Sequence, residues 1–137
     1  MAIYLLDTNV LSSIIKKSAE GQAQAVKLRR LLRENALMII SPVVYYEIAR
    51  GLYKVQAETK AAVLEELISL LEWRDFSRTT WDKGARLWAK CRRSGIITGE
   101  GIDKDVLIAA QALEYGATVI TNNVRHFEHL GVDYETW

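Results

Sequence analysis

A chain of 137 residues, half of them hydrophobic and 26% charged, has the length and composition of one globular domain, here residues 1–137, and excludes a disordered or fibrous protein. Its 18 Lys plus Arg against 17 Asp plus Glu leave a net charge of +1, a global field too weak to imply a polyanion partner, so nucleic-acid binding must come from local patches. Cys91 is the only cysteine, which rules out an intrachain disulfide and a cysteine-built zinc site, and no apolar run approaches the roughly 20 residues of a membrane helix. The N-terminus lacks the basic region of a signal peptide, so a cytoplasmic protein without membrane attachment is expected.

In chain order, Ile3-Tyr4-Leu5-Leu6 reads as a buried strand that breaks at once into Asp7-Thr8-Asn9. An acid there lies at the carboxyl end of a sheet strand, where open α/β folds build their sites; it can equally favour the positive end of a following helix over Val10 to Ile15. Lys16 to Gly21 reads as a polar break, and Ala25, Leu28, Leu31 and Leu32 mark a second helix. Leu37 to Ile40 is a second buried strand. Ser41-Pro42 then opens a helix with Val44, Ile48 and Leu52 inward and Glu47 at the edge of that face.

Glu58 to Glu72 carries Leu64, Leu67, Ile68 and Leu71 at helical spacing and reads as scaffold, with Trp73 to Ser77 as a further strand. Thr79 or Thr80 caps the next helix, with Trp81, Gly84, Leu87, Trp88 and Cys91 on one side and Lys83, Arg86, Lys90 and Arg93 on the other. Such a basic stripe is usually a solvated face; beside a cluster of acids it would suit a phosphate backbone. Ser94 to Gly101 reads as a loop. Asp103 then looks like the N-cap of a helix whose apolar line is Val106, Ala109, Ala110 and Leu113, with Asp105 near the buried side and Gly116 as its stop. Thr118-Val119-Ile120 is a third buried strand, ending in Thr121-Asn122-Asn123.

Alternating strands and helices predict a three-layer α/β/α sandwich around a mostly parallel sheet. Its strand ends share one edge, where Asp7 and Thr121 should lie, with Glu47 and Asp105 in the first turns of helices starting nearby. Gathered carboxylates repel each other, and burying them without a cation costs several kcal/mol or raises their pKa values. Hard oxygen donors suit Mg²⁺ or Mn²⁺, and one or two such ions, roughly 4 Å apart when paired, support phosphodiester hydrolysis.

These residues resemble the PIN domains and, within them, the toxin ribonucleases of the VapC type. Leu5-Leu6-Asp7-Thr8-Asn9 resembles the family's opening, Ser41-Pro42 followed by Glu47 its second segment, Asp105-Val106-Leu107-Ile108-Ala109-Ala110 its D-x-x-I-A-A form, and Thr121-Asn122-Asn123 through Phe127 its closing segment. The resemblance spans the chain and implies a Mg²⁺-dependent (or Mn²⁺-dependent) endoribonuclease with Asp7, Glu47 and Asp105 as metal-binding acids and Thr121, or Thr8, orienting ligands or water. Asn123 stands where many members carry a fourth acid; its oxygen accepts but brings no charge, which weakens the case for a second ion. Asp103 could supply that charge, and His126 could contact phosphate or assist proton transfer. A VapC-like toxin would act on RNA, form a homodimer, and be silenced by a VapB-like antitoxin whose tail enters the acidic site. Tyr45, Tyr46 and Tyr53 offer contact surface. Competing expectations are an RNA-maturation nuclease, a binding-only PIN domain motivated by Asn123, and a phospho-receiver module, which would need a strand ending in lysine that this chain lacks.

Overall fold

The computed structural model describes residues 1–95 and 101–137. Strand β1 (Ile3–Leu6) leads to helices α1 (Thr8–Lys16) and α2 (Ala19–Arg33), then β2 (Leu37–Ile40), α3 (Pro42–Lys54), α4 (Glu58–Leu70) and β3 (Glu72–Trp73). After β3 come α5 (Arg78–Ser94), α6 (Ile102–Tyr115), β4 (Thr118–Ile120), α7 (Val124–Phe127) and β5 (Tyr134–Glu135). The strands form one sheet in the order β3-β2-β1-β4-β5, every neighbouring pair parallel. Right-handed crossovers therefore place α1 to α4 on one face and α5 to α7 on the other, the expected three-layer α/β/α sandwich. Most helix contacts divide the same way, α1 with α2, α3 and α4, and α6 with α5 and α7, while α3 and α6 also meet each other.

Chain direction across the sheet reverses between β1 and β4, and such a switch point leaves a crevice beyond the strand ends. Register fixes what stands there. Leu6 pairs with Ile120, and the Asp7 N–H donates to the Ile120 carbonyl at 2.9 Å, so Asp7 and Thr121 follow side by side. Leu5, Leu6, Ile39, Ile40, Val119 and Ile120 are completely buried because helices cover both sheet faces, which is why these strands read as unbroken apolar runs.

Several local expectations give way. Ser18 caps α2, so the polar break shrinks to Lys17 and Ser18 and Gly21 lies within the helix. A Cβ on Gly21 would stand 1.9 Å from the Ser13 carbonyl oxygen, so the close approach of α1 and α2 requires glycine. The extended stretch expected from Trp73 to Ser77 is only Glu72–Trp73. Ser77, with Thr80 in a reciprocal capping box, starts α5 ahead of the expected Thr79 or Thr80 by less than one turn. Trp81 and Trp88 are exposed, while Gly84 and Cys91 are buried against the neighbouring helix side. Helix α5 runs through Ser94 with Gly95 as its C-cap; the rest of the expected Ser94 to Gly101 loop, residues 96–100, lies outside the described residues.

Gly101 at φ 89°, not Asp103, is the N-cap of α6, and Asp103 is an exposed first-turn acid that complements the helix dipole. Leu113 lies outward at 39% exposure, and the fully buried line runs through Ile108, Ala109 and Ala112. Strand β5 and helix α7 were not expected. Each is too short to carry a periodic signal.

Candidate active site

Four distant segments meet at the switch point. Asp7, at 1% exposure, caps α1 by accepting the Thr8 N–H at Oδ1 (2.7 Å), so its carboxylate is oriented by the helix that it starts. Its other oxygen accepts the Thr121 hydroxyl at 2.7 Å and the Asn9 amide at 3.2 Å. Dipole complement and site acid are thus one residue in one geometry. Asn9 also receives the Asn122 N–H at 3.2 Å, and Asn122 reaches Glu20 at 2.9 Å, tying α1 and α2 to the loop after β4.

Asp105 projects from the first turn of α6 and is likewise 1% exposed. Oδ2 accepts from His126 Nδ1 in a short contact. Facing an ionised carboxylate, Nδ1 is the donor; the Asn123 amide nitrogen lies 3.0 Å from the same ring nitrogen but is itself a donor, so it makes no second hydrogen bond there while Nδ1 carries the proton. Asn123 also donates its N–H to the Thr121 hydroxyl at 2.9 Å. Oδ1 of Asp105 is buried without any hydrogen-bond partner. Glu47, from the second turn of α3, keeps about a third of its side chain exposed, 35%, at the open side of the group.

The residue that joins these acids is one that sequence reasoning passed over. Lys104 Nζ stands 3.1 Å from Glu47, 3.6 Å from Asp7 and 4.0 Å from Asp105, and donates to Thr8 Oγ1 at 3.3 Å. A cation in the first turn of a helix opposes the dipole and needs anionic partners, and that misplacement is the signal by which Lys104 could have been found. Burial disfavours its charge, but attraction from Asp7, Glu47 and Asp105 outweighs burial and holds its pKa above the ordinary lysine value. Of the basic stripe on α5, Arg86 pairs with Asp82 in its own helix.

Burial, reinforced by repulsion from Asp7, raises the Asp105 pKa, although the His126 hydrogen bond and the charges of Lys104 and His126 pull it down. A folded-state pKa raised above the unfolded value makes ionisation oppose folding, so stability is lost as pH climbs from the ordinary carboxylate range through the folded pKa. Asp105→Asn in chelator should therefore melt at the same temperature as the parent or higher at pH 7, with the difference shrinking as pH falls toward the carboxylate range. Thermal melts across that range test this, and a clear drop for the variant at pH 7 would make Asp105 a structural cap instead.

Comparison with known proteins gives the family. The family model described as PIN domain matches residues 4–132. Ribonuclease VapC2 of Rickettsia felis is 31% identical over 98% of both chains, and the tRNA(fMet)-specific endonuclease VapC of Salmonella typhimurium is 32% identical over 100% of this chain and 99% of its own. Among solved structures, VapBC2 from Rickettsia felis bound to a promoter DNA fragment superposes with a TM-score of 0.84 at 30% identity over 98% of both chains. DNA-bound VapBC from Salmonella typhimurium superposes at 0.80 with 31% identity, over 100% of this chain and 99% of that one. The chain belongs to the PIN-domain family, among its VapC-type ribonucleases.

Proposed function

We propose that this chain is a Mg²⁺-dependent endoribonuclease that acts as the toxin of a toxin–antitoxin pair. The observation that carries the reading is the convergence of Asp7, Glu47 and Asp105 at the β1/β4 switch point, two of them buried. A divalent ion suits these donors: they are hard carboxylate oxygens, and Asp105 Oδ1 is a buried acceptor that nothing satisfies. As placed, no three His, Cys, Asp or Glu side chains among the described residues close tightly enough to chelate an ion, and the Lys104 ammonium lies within 4.0 Å of all three acids. Asp7, Glu47 and Asp105 would hold Mg²⁺, or Mn²⁺, once drawn inward. When bound, such an ion activates water and stabilises the oxygens of an in-line phosphodiester displacement.

The chain's own groups prepare that site. Thr121 and Asn9 fix the Asp7 carboxylate, and His126 fixes that of Asp105. Glu47, the most exposed acid of the three, faces the side from which RNA would enter. Asn123 adds no charge and acts as a positioning residue through its N–H, which donates to the Thr121 hydroxyl that in turn holds Asp7. The described residues contain no helix long and apolar enough to cross a membrane, which fits a cytoplasmic RNA substrate. A VapB-like antitoxin is the expected partner, since relatives at 30% and 31% identity were solved as VapBC complexes. Exposed Tyr46 and Tyr53 suit a homodimer or partner surface, whereas Tyr45 packs edge-on against Trp73 at 5.3 Å.

The test is cleavage of a labelled structured-RNA mixture by purified protein with Mg²⁺, with Mn²⁺ and with chelator. Cutting in both metals and none in chelator is expected. A clean, folded protein that cuts nothing would overturn the nuclease reading in favour of a binding module, which the neutral Asn123 favours. A short antitoxin frame beside this gene distinguishes the toxin from an RNA-maturation enzyme.

A further inference from the structure

The acids are already bridged by a cation that belongs to the chain. Lys104 lies between Asp103 and Asp105 in the first turn of α6, where the dipole opposes it, yet its ammonium contacts Asp7, Glu47 and Thr8 across the crevice. Its side chain is 22% exposed, so most of its conformational freedom is given up to hold this position. Three carboxylates against one ammonium leave two negative charges, the charge of one divalent ion. Asn123, with no charge of its own, leaves that balance unchanged.

We propose that Lys104 is the resident cation of the acid cluster: it holds Asp7, Glu47 and Asp105 together before a divalent ion arrives and limits the site to one such ion. The proposal rests on the metal-dependent reading above and deepens it by assigning the metal count. A divalent ion and an ammonium confined roughly 4 Å apart repel appreciably even at the dielectric of water, so the lysine lowers affinity for the ion as well as replacing a second one. The same charge relieves repulsion among the acids while no ion is present.

Calorimetric titration of Mn²⁺ into the wild type, Lys104→Met and Lys104→Arg, with melting temperatures in chelator, tests this without reference to activity. The wild type should take one ion per chain. Lys104→Met should bind its first ion at least about tenfold more tightly and melt lower than wild type in chelator, while Lys104→Arg, keeping the charge, should follow wild type in stoichiometry. Two ions on the wild type, or equal affinity in wild type and Lys104→Met, would overturn the proposal while leaving the metal-dependent reading intact. A Lys104→Met melt in chelator at or above that of wild type would overturn the holding role by itself. No Mn²⁺ bound by any of the three folded proteins would overturn both readings.

Discussion

Asp7→Asn should slow RNA cleavage by at least about a hundredfold, the scale of losing one preorganised electrostatic partner, and leave the protein folded. The fold survives because asparagine is as good an N-cap as aspartate, so α1 keeps its start and the Thr8 N–H its acceptor. What disappears is a charge. The carboxylate oxygen that accepts the Thr121 hydroxyl and the one facing Lys104 at 3.6 Å become an uncharged amide. Comparing cleavage rates with circular dichroism melts checks both halves at once. Undiminished cutting by Asp7→Asn would remove Asp7 from the chemistry.

Phe127→Ala should cost about 3–5 kcal/mol of stability and lower the melting temperature by roughly 10 °C or more. Phe127 is completely buried at the end of α7, a helix of only 4 residues that cannot stand by propensity and is held by this ring. The same helix presents His126 to Asp105 and starts from Asn123. Loosening it should therefore also weaken activity below the new melting temperature, in a sample still folded by circular dichroism. An alanine variant with unchanged melting temperature would mean that α7 is anchored by something other than Phe127.

The sheet was legible where its strands are buried on both faces. Leu5-Leu6, Ile39-Ile40 and Val119-Ile120 give apolar runs, each followed by a polar residue at the site edge. Strands β3 and β5 have 2 residues each and pair only at the rims, so the sequence pattern placed β3 with the wrong bounds and missed β5. Helical periodicity placed Asp105 near the buried side of α6 but misjudged Leu113, which shares the angular face of Val106 and Ala109 yet sits in the last turn, where Glu114 and Tyr115 are exposed as well. Asp103 satisfied every compositional rule for a cap, yet the positive φ of Gly101 decided where α6 begins.

The acids themselves were readable because each interrupts or borders an apolar segment. Lys104 left only one sequence signal, a cation in a helix's first turn, which is easily passed over because an isolated lysine on a helix is ordinarily solvated and only the fold brings Asp7 and Glu47 to it. The contacts that orient the carboxylates, Thr121 to Asp7 and His126 to Asp105, are likewise products of tertiary register.

The insertion of β4 beside β1 has a temporal meaning. The hydroxyl that orients Asp7 comes from a residue 114 positions later in the chain, and Asp105 reaches the crevice only once α6 packs across the sheet. A ribosome carrying this protein unfinished therefore carries Asp7 and Glu47 on a two-strand fragment whose first strand still has a bare edge. Under the proposed activity, synthesis itself acts as a safety catch. The nascent chain cannot attack the RNA around it until nearly all of it has been made, which gives an inhibitor already present in the cell the whole time of translation to be waiting.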